Sequence, residues 1–492
     1  MTGRFQKFNK FRYIVCLTAW LALLALYSHR INLSIGIIGM TKEKVSNKTE
    51  DTTCPIRYNK TDSVVESETE KFEWSESMQN YVLLAYNVGY MVGHVPGAFL
   101  SIRFGYRKVM VFCLGASTFL TLVSVFVAPY QWIFFGIRSI IGLVNGPLYP
   151  IVHETIAGHS PPSERTFLTL FTHTGNLISL VLILPIGGLF IDNFVNGWKY
   201  IFYLSGGLGI LATIMWFIFV YSEPEENPWM SIKEQNYITT QIYPKGKPPK
   251  KTMSNVPFCK IFTSPHLYIF TIVHFGKLFV LYMNLFGIVK YLYKYFSLSP
   301  VMAGNLAVIP FIADFLFQTV YPRVVNVMKN SGMKITNIRK LNTFLGALGC
   351  SSFLIASGFI PCTNLVGGIV LQTLSLMFLA PFQAGYFTAI IEHAPQYAGV
   401  TFSFINIGGT FSGVAQRFLV AQLSEQISDM RVAYKYSFII TGIVSFALSM
   451  VYVMFGTADL QPWAQTGTKS TEMTQTPERK TTIDENTTEI EV

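Results

Sequence analysis

The chain has 492 residues, of which 51% are hydrophobic and 13% are charged, and its formal net charge is +10. Soluble domains carry roughly a quarter charged residues, so this composition excludes an ordinary soluble protein and is typical of an integral membrane protein. The positive charge lies mostly in short segments between apolar stretches, where it orients a membrane protein. It is therefore no argument for a nucleic-acid partner.

Twelve stretches with very few charged residues follow one another along the chain. Each is about 20–28 residues long, which as a helix crosses a hydrocarbon core of roughly 30 Å. The first is longer than a signal-peptide core and has no small-residue cleavage site behind it, so we expect a retained helix. The sequence thus predicts an all-α membrane protein with transmembrane helices at residues 13–28 (continuing to 40), 78–102, 109–128, 131–152, 167–191, 200–221, 267–292, 301–321, 341–360, 365–391, 400–420 and 436–455.

Basic residues in the connecting segments predict the orientation of the chain. The positive-inside rule places segments rich in Lys and Arg in the cytoplasm. All the basic segments fall on one side of the twelve spans, so both termini are predicted to be cytoplasmic. These segments are residues 1–12, 103–108, 245–251 and 323–340.

The long connection 41–77 then lies on the outer side. It carries two glycosylation sequons, at Asn47 and Asn59, in agreement with that placement. Cys54 and Cys362 also fall on the outer side and could pair, but spacing alone does not establish a disulfide.

Six spans, a polar segment containing "KGKPPKK" and six further spans predict two half-domains with a substrate site near the membrane midplane between them. The tail is rich in Thr, Glu and Lys and is predicted to be disordered. The predicted organisation is a cytoplasmic N-terminus (1–12), a first half (13–221), a cytoplasmic linker (222–263), a second half (264–456) and a disordered cytoplasmic tail (457–492).

Glycines recur every four residues in two of the predicted spans. Small residues at that spacing let helix backbones approach closely in lipid, so close helix packing is the prediction for both stretches. The glycines are Gly89, Gly93 and Gly97 in the second span, and Gly142 and Gly146 in the fourth.

Ionisable residues at membrane depth are costly and indicate function. Arg30, Arg138 and Lys277 place three cations in the middle and outer zone of the predicted bundle. Guanidinium groups bind carboxylate and phosphate through paired hydrogen bonds, so the predicted substrate is a small anion. Arg138 shares one predicted helix face with Asn145 and Tyr149, which makes all three candidates for lining the site.

Structural roles remain open for each of these charges. Arg30 could extend to the outer interface, and Arg138 could bond to helix carbonyls. Lys277 and Asp314 lie at similar depths on consecutive spans and could form a structural ion pair. Arg417, near the outer end of its span, is better explained by extension to the interface.

Four histidines lie in or at the ends of predicted spans. A histidine with a pKa near neutrality can relay protons, but a lone histidine in a bundle is more often a hydrogen-bonded packing residue. The four are His94, His153, His173 and His274.

Five motifs resemble, in order, those of one family. They are "RINLS" (30–34), "RSIIGLVNGPLYPIVHETIAGHSPPSERT" (138–166), "SEPEENPWMSIKEQNYI" (222–238), "APQYAGV" (394–400) and "FGTADLQPWA" (455–464). The chain is similar to the anion:cation symporter family of the major facilitator superfamily, which includes sialin, vesicular glutamate transporters and type I sodium-phosphate cotransporters. The resemblance implies a twelve-helix major facilitator fold. It also implies transport of organic anions or phosphate driven by sodium, protons or membrane potential.

The resemblance also assigns roles to individual residues. Arg30 corresponds to the family's substrate-contacting arginine of the first helix, and Arg138 to an arginine of the vesicular glutamate members. His153 matches the histidine after "YP". Lys277 stands where those members carry a further arginine. Glu164 and Arg165, in the "SPPSER" turn, are expected to form a cytoplasmic gating or structural pair.

One departure from the family bears on coupling. Asn145 occupies the place of a glutamate associated with proton coupling, and an amide cannot carry a proton through a cycle. Sodium coupling is therefore favoured over proton coupling. Asp314, where the family commonly has a neutral residue, and His153 are the remaining candidates for a coupling group.

The leading prediction is a secondary active transporter of small organic anions or phosphate, working in the lipid bilayer without a cofactor, metal or obligate protein partner. An uncoupled anion channel or a transport-inactive receptor on the same scaffold is the alternative. No catalytic motif supports a membrane enzyme. The absence of an obvious acidic dileucine signal favours the plasma membrane over lysosomal or vesicular membranes.

Overall fold

A computed structural model describes residues 10–41, 71–243, 256–298, 300–427 and 429–464. Within these ranges all the regular structure is helical, and β-pairing is limited to one isolated bridge between Thr41 and Phe72. The predicted all-α fold is confirmed. The glycosylation sites Asn47 and Asn59 lie outside the described residues.

The first half consists of six membrane spans formed by seven helices. The fourth predicted span is divided into two helices, because Gly146 and Pro147 interrupt it. The helices are α1 (Phe11–Met40), α2 (Glu76–Phe104), α3 (Tyr106–Val127), α4 (Gln131–Asn145), α5 (Leu148–His159), α6 (Arg165–Asn193) and α7 (Trp198–Phe219).

The second half repeats the six spans after two short helices in the predicted linker. Two of these spans, the eighth and the tenth of the chain, are also interrupted. The linker helices are α8 (Ile232–Ile242) and α9 (Phe258–Thr263). The spans are α10 (Pro265–Tyr295), α11 and α12 (Pro300–Val320, Pro322–Asn330), α13 (Ile335–Ser357), α14 to α16 (Leu365–Met377, Leu379–Phe382, Thr388–His393), α17 (Ala398–Gln426) and α18 (Met430–Phe455).

By length and hydropathy, nine spans of the described residues are apolar enough to cross a membrane on their own. The other three, α2, α13 and α17, are 29, 23 and 29 residues long but carry more polar side chains. Length therefore suffices in all twelve. In α2 and α17, polar side chains such as His94 and Asn406 are buried and contact each other rather than lipid.

Helix packing is equivalent in the two halves. In the first, α1 packs against α6 and α7; in the second, α10 packs against α17 and α18. The halves meet where α6 packs against α11, and where α2 and α5 pack against α17. This pairing leaves α1, α2, α5 and α6 facing α10, α11 and α17 around the centre of the molecule.

The glycines of α2 and α4 make the close contact predicted from their spacing. A Cβ atom added at Gly93 would lie 2.1 Å from the carbonyl oxygen of Leu143, and one at Gly142 would lie 2.1 Å from that of Tyr86. No side chain fits at such a distance, so the two backbones touch directly.

The tenth span contains a π-helical segment, Gln383–Phe387, between α15 and α16. The backbone of Gly385 is non-helical there, with φ −76° and ψ −118°. Such segments change the direction of side chains within a span and recur at functional sites. This one places Gln383 and Phe387 at the central cavity and Tyr386 beside His274.

Polar contacts join the halves at the terminal face, defined as the face where α1 begins and α18 ends. Arg339 on α13 forms an ion pair with Glu392 and donates from Nη2 to Thr166 Oγ1 of the first half at 3.1 Å. Lys329 Nζ lies 3.5 Å from the carbonyl oxygen of Pro162. The terminal face is therefore closed.

The linker helix α8 is fixed to the start of α1. The Glu234 carboxylate accepts hydrogen bonds from the backbone N–H groups of Phe11 (2.7 Å) and Arg12 (3.1 Å), which the first turn of a helix leaves unpaired. The Arg12 side chain also forms ion pairs with Glu234 and Glu164. Glu164 thus pairs with Arg12, whereas Arg165 donates to a backbone carbonyl of its own turn.

The first residues of the predicted tail are hydrogen-bonded to the second half. Thr336 Oγ1 donates to Asp459 at 2.9 Å, and the Gln461 N–H donates to the His393 carbonyl oxygen at 3.1 Å. Residues 465–492 lie outside the described part of the chain. Cys362 is disulfide-bonded. Cys54, which could pair with it, falls outside the described residues.

Candidate functional site

A cavity lies between the two halves, near the middle of the spans. Its volume is about 50 Å³, which is room for a few water molecules. Helices of both halves contribute to its wall. The polar lining residues are Tyr27, Arg30, Tyr90, Tyr149, His173 and Asn176 from the first half and His274, Lys277, Tyr282, Asp314, Gln318, Gln383 and Asn406 from the second.

Arg30 enters the cavity from α1. One guanidinium nitrogen, Nη2, donates to Asn87 Oδ1 at 2.8 Å and to the Tyr282 hydroxyl at 3.0 Å. The second contact joins α1 to α10 and so connects the halves on the side of the cavity away from the terminal face. Among the described residues, Arg30 has no carboxylate within 4.0 Å.

Tyrosine rings surround the Arg30 guanidinium. Its central carbon lies 5.3–5.8 Å from four ring centres, close enough for cation–π attraction. The rings hold the cation without neutralising it, and the side-chain Nε has no hydrogen-bond partner among the described residues. Arg30 therefore keeps its charge and a free donor. The rings belong to Tyr27, Tyr86, Tyr90 and Tyr282.

Lys277 contributes a second cation from the other half. It lies 12 positions into α10, about 18 Å along the helix from its terminal-face end, and is buried. Its Nζ donates to Gln383 Oε1 at 3.0 Å. No ion pair within 4.0 Å joins Lys277 to Asp314, although both line the cavity.

Of the three residues predicted to share a face of the fourth span, one lines the cavity. Tyr149, on α5, lines the cavity and accepts a hydrogen bond from Asn176. Asn145 lies behind it and donates to the Tyr86 hydroxyl at 3.1 Å. The backbone stays in the α-helical region at Gly146 and Pro147, so the interruption alone does not explain why Asn145 lies away from the cavity.

Arg138 is buried behind α1 rather than at the cavity wall. Its Nη1 donates to the His29 carbonyl oxygen and to Asn32 Oδ1, each at 3.1 Å, and Nη2 lies 3.4 Å from the Arg30 carbonyl oxygen. All three acceptors belong to the turns of α1 around Arg30. Arg138 therefore positions the cavity cation and does not itself line the site.

An aromatic layer forms the cavity wall towards the terminal face. His153 packs flat on Phe402, with ring centres 3.8 Å apart, and its edge contacts Phe387 and His173. Neither ring nitrogen of His153 has a hydrogen-bond partner among the described residues. His173 lines the cavity, whereas His153 lies one layer further from it.

A chain of hydrogen bonds crosses between the halves beside this layer. The Tyr386 hydroxyl pairs with His274 Nδ1 (2.9 Å), His274 Nε2 with Asn406 Oδ1 (3.1 Å), and Asn406 Nδ2 with His94 Nε2 (3.1 Å). His94 Nδ1 ends the chain on the Gly146 carbonyl oxygen (2.8 Å). A carbonyl can only accept, so Nδ1 of His94 carries the proton and each neutral imidazole donates once and accepts once.

Sequence reasoning placed Arg30, Lys277, Tyr149 and Asp314 in the membrane, and the structure brings these four to one cavity. It missed Gln318 and the tyrosines that surround Arg30. Two of the missed residues could have been found from helix periodicity, which places residues three or four positions apart on one face. Tyr27 lies one turn before Arg30, and Gln318 lies one turn after Asp314. Tyr282 and Gln383 gave no such signal, since only the packing of the two halves brings them to the site.

Comparison with known proteins agrees with this architecture. The family description Major Facilitator Superfamily matches residues 15–416. The chain belongs to the major facilitator superfamily. The fold is also that of the proton:xylose symporter XylE, solved with 6-bromo-6-deoxy-D-glucose, with a TM-score of 0.67, 14% identity and coverage of 92% of this chain and 98% of that one.

Relatives within the superfamily confirm the resemblance to anion:cation symporters. Sialin of Ovis aries is 23% identical, with 92% of this chain and 90% of that protein covered. The vesicular glutamate transporter 1 of Bos taurus is 24% identical, with 92% and 78% covered. A putative inorganic phosphate cotransporter of Drosophila melanogaster is 25% identical, with 92% and 86% covered. The chain is thus a transporter of the membrane and not an enzyme.

Proposed function

We propose that this protein is a symporter that moves a small organic anion or inorganic phosphate together with a cation by alternating access. The observation that carries the proposal is the placement of Arg30 and Lys277. They enter one central cavity from opposite halves, and no described carboxylate lies within ion-pair distance of either.

An anion in this cavity would replace neutral acceptors of the two cations with charged ones. Arg30 now donates to neutral oxygens, and Lys277 donates to the amide oxygen of Gln383. A carboxylate or phosphate would add a negative charge to these bonds, and the attraction between opposite charges is strong in a site of low dielectric constant. The two cations belong to different halves. One anion bound to both therefore draws the halves together around the cavity.

The coupling ion is proposed to be sodium rather than a proton. Asn145 occupies the place of the family's coupling acid and is buried against the hydroxyl of Tyr86. An amide in that environment neither gains nor loses a proton during transport. The similarity to a putative phosphate cotransporter and to a glutamate transporter supports anionic substrates of both kinds.

The missing acid at Asn145 also supports a second function, an anion-conducting pore or a transport-inactive receptor on the same scaffold. The two functions differ in thermodynamics, since only a symporter accumulates substrate against its gradient. Electrical recording separates them: anion current without concentrative uptake supports the second function.

We propose further that the terminal face is cytoplasmic and that the protein resides in the plasma membrane. The basic connecting segments support this orientation, and the sequons at Asn47 and Asn59 then face outside. Surface biotinylation of intact cells, with glycosidase treatment, tests both statements. A protein labelled only after permeabilisation would contradict the plasma-membrane assignment.

The test of function is uptake of labelled anions into cells that express the protein. Phosphate, urate, sialate, glutamate and aromatic organic anions are offered with sodium present or replaced, at two external pH values. Arg30→Ala and Lys277→Ala are expected to abolish uptake while surface expression is kept. Arg103→Ala, at the exposed end of α2, is the matched loss of a cation and should leave uptake unchanged.

A further inference from the structure

Two residues that line the cavity each carry a buried oxygen atom without a hydrogen-bond donor among the described residues. Asp314 and Gln318 lie one turn apart on α11, and both line the cavity. The Gln318 amide donates from Nε2 to Asp314 Oδ1 at 3.0 Å. Asp314 Oδ2 and Gln318 Oε1 have no hydrogen-bond partner among the described residues.

Both residues are almost completely buried, with 0% exposure for Asp314 and 6% for Gln318, and the two oxygens are buried with them. A buried acceptor without a donor is costly, and more so when it belongs to a carboxylate. Lys277 is the neighbouring cation, but its hydrogen bond goes to Gln383, and it forms no ion pair with Asp314. Both oxygens are therefore suited to a small positive species from the cavity.

We propose that Asp314 Oδ2 and Gln318 Oε1 form the binding site for the coupling cation, which is sodium in the function proposed above; a proton at the same atoms is the outcome that the test below distinguishes from it. This inference rests on the symport function proposed above. A sodium ion would take both oxygens as ligands. A proton on Oδ2 would be donated to Oε1, so that acid and amide each donate to the other. Either species would give both oxygens a partner.

The position of this site makes cation and anion binding mutually favourable. With Asp314 ionised, the cavity holds two positive charges, Arg30 and Lys277, and one negative charge. A cation on Asp314 removes the negative charge and strengthens the attraction for an anion in a region of low dielectric constant. Thermodynamic linkage then requires the bound anion to strengthen cation binding by the same factor.

The experiment measures the apparent KM for a transported anion over a series of sodium concentrations at fixed pH, and over a series of pH values without sodium. In the unsubstituted protein, KM falls as the coupling cation rises. Asp314→Asn imitates the neutralised site, so its KM is expected to equal the low, cation-saturated value and to be independent of both cations. Concentrative uptake is lost in this variant, while exchange of labelled for unlabelled anion across the membrane is kept.

Two further variants complete the test. Gln318→Met removes one of the two oxygens and should shift the cation dependence to higher concentration without abolishing it. Asp192→Asn, the same chemical change at an exposed position at the end of α6, should behave as the unsubstituted protein. If KM changes with sodium concentration, the coupling cation is sodium. If KM changes with pH in the absence of sodium, it is a proton.

An Asp314→Asn protein that exchanges anion and keeps the full cation dependence would overturn the inference. So would an Asp314→Asn protein with a raised KM, because loss of a negative charge beside the anion cannot weaken its binding electrostatically. If instead the unsubstituted protein transports none of the anions offered, the failure belongs to the proposed function and not to this site.

Discussion

Arg138 shows how a buried charge can support a site that it does not enter. Its guanidinium bonds to three oxygens of α1 on the turns that surround Arg30. Lysine keeps the charge but lacks the planar fork that reaches separate acceptors. Arg138→Lys is expected to destabilise the folded protein by about 1.5–3 kcal/mol per lost hydrogen bond, while the KM of the anion stays within about threefold, or less than 1 kcal/mol. Thermal unfolding in detergent and uptake kinetics give the two quantities.

Arg30→Lys is the matched variant, because the same change is made inside the cavity. It should raise KM by about tenfold or more, since a bound carboxylate or phosphate loses a charge-assisted hydrogen bond of roughly 1.5–3 kcal/mol. If Arg138→Lys raised KM as much as Arg30→Lys does, the prediction that Arg138 contributes to stability and little to anion binding would be wrong.

Glu164 predicts a pH dependence of stability at the terminal face, outside the spans. Hydrogen bonds from the Arg12 guanidinium lower the pKa of this carboxyl below its ordinary value. A lowered pKa means that the interaction stabilises the fold above the unfolded pKa of about 4.3 and is lost as pH falls through the folded pKa. Glu164→Gln should therefore lower the melting temperature at pH 7. At pH 3 the difference in melting temperature between the variant and the unsubstituted protein should be smaller. A gap that is as large at pH 3 as at pH 7 would show that the Glu164 charge is not involved.

At the scale of elements, the contact between α2 and α4 predicts which glycines can be replaced. A Cβ at Gly142 would lie 2.1 Å from the Tyr86 carbonyl oxygen, whereas a Cβ at Gly136, on the same helix, meets no atom within 4 Å. Gly142→Ala must separate two helices that touch along their backbones, and a loss of about 1–3 kcal/mol is expected, as for other overpacked sites. Gly136→Ala should be neutral or slightly stabilising, because alanine favours helix. Yield and melting temperature of the two variants in one detergent measure the difference, and equal values would contradict the close contact.

The spans themselves could be predicted from sequence because each depends on local composition. A run of apolar residues long enough to cross the bilayer is sufficient, and the predicted ends of α3 and α6 lie within three residues of the observed ones. The interruptions at Gly146 and Gly385 were less accessible, since helices of membrane proteins tolerate glycine and proline where neighbouring groups satisfy the backbone. The same holds for α8, which has no apolar run and is held by the contact of Glu234 with the start of α1.

The site was predictable in part for the same reason. Arg30 and Lys277 are conspicuous because a charge at membrane depth needs an explanation wherever the helices lie. Whether such a charge lines a cavity or supports a neighbouring backbone depends on packing between residues far apart in sequence. Arg138 and Arg30 differ in this respect although their sequence contexts are alike, and only the placement of α1 between α4 and the cavity distinguishes them.

At the scale of the whole molecule, the cavity is enclosed by contacts between the halves on both sides. Arg30 bonds to Tyr282 on one side, and the His94–Asn406 contact lies on the other, with Arg339–Thr166 beyond it at the terminal face. A substrate can enter or leave only if one of these sets separates. Alternating access through this fold therefore requires the terminal-face contacts to open in every cycle.

Cross-linking the halves tests that requirement. Across the terminal face, Lys329 Nζ lies 3.5 Å from the carbonyl oxygen of Pro162. Within the second half, Lys340 Nζ lies 3.0 Å from the carbonyl oxygen of Met454. Cysteine pairs at these positions, made with the exposed Cys259 replaced by serine, are joined by a short reducible reagent. The pair between the halves is expected to stop uptake until the link is reduced, while the pair within one half leaves uptake unchanged. Uptake that continues with positions 162 and 329 joined would contradict the requirement that these terminal-face contacts separate in every cycle.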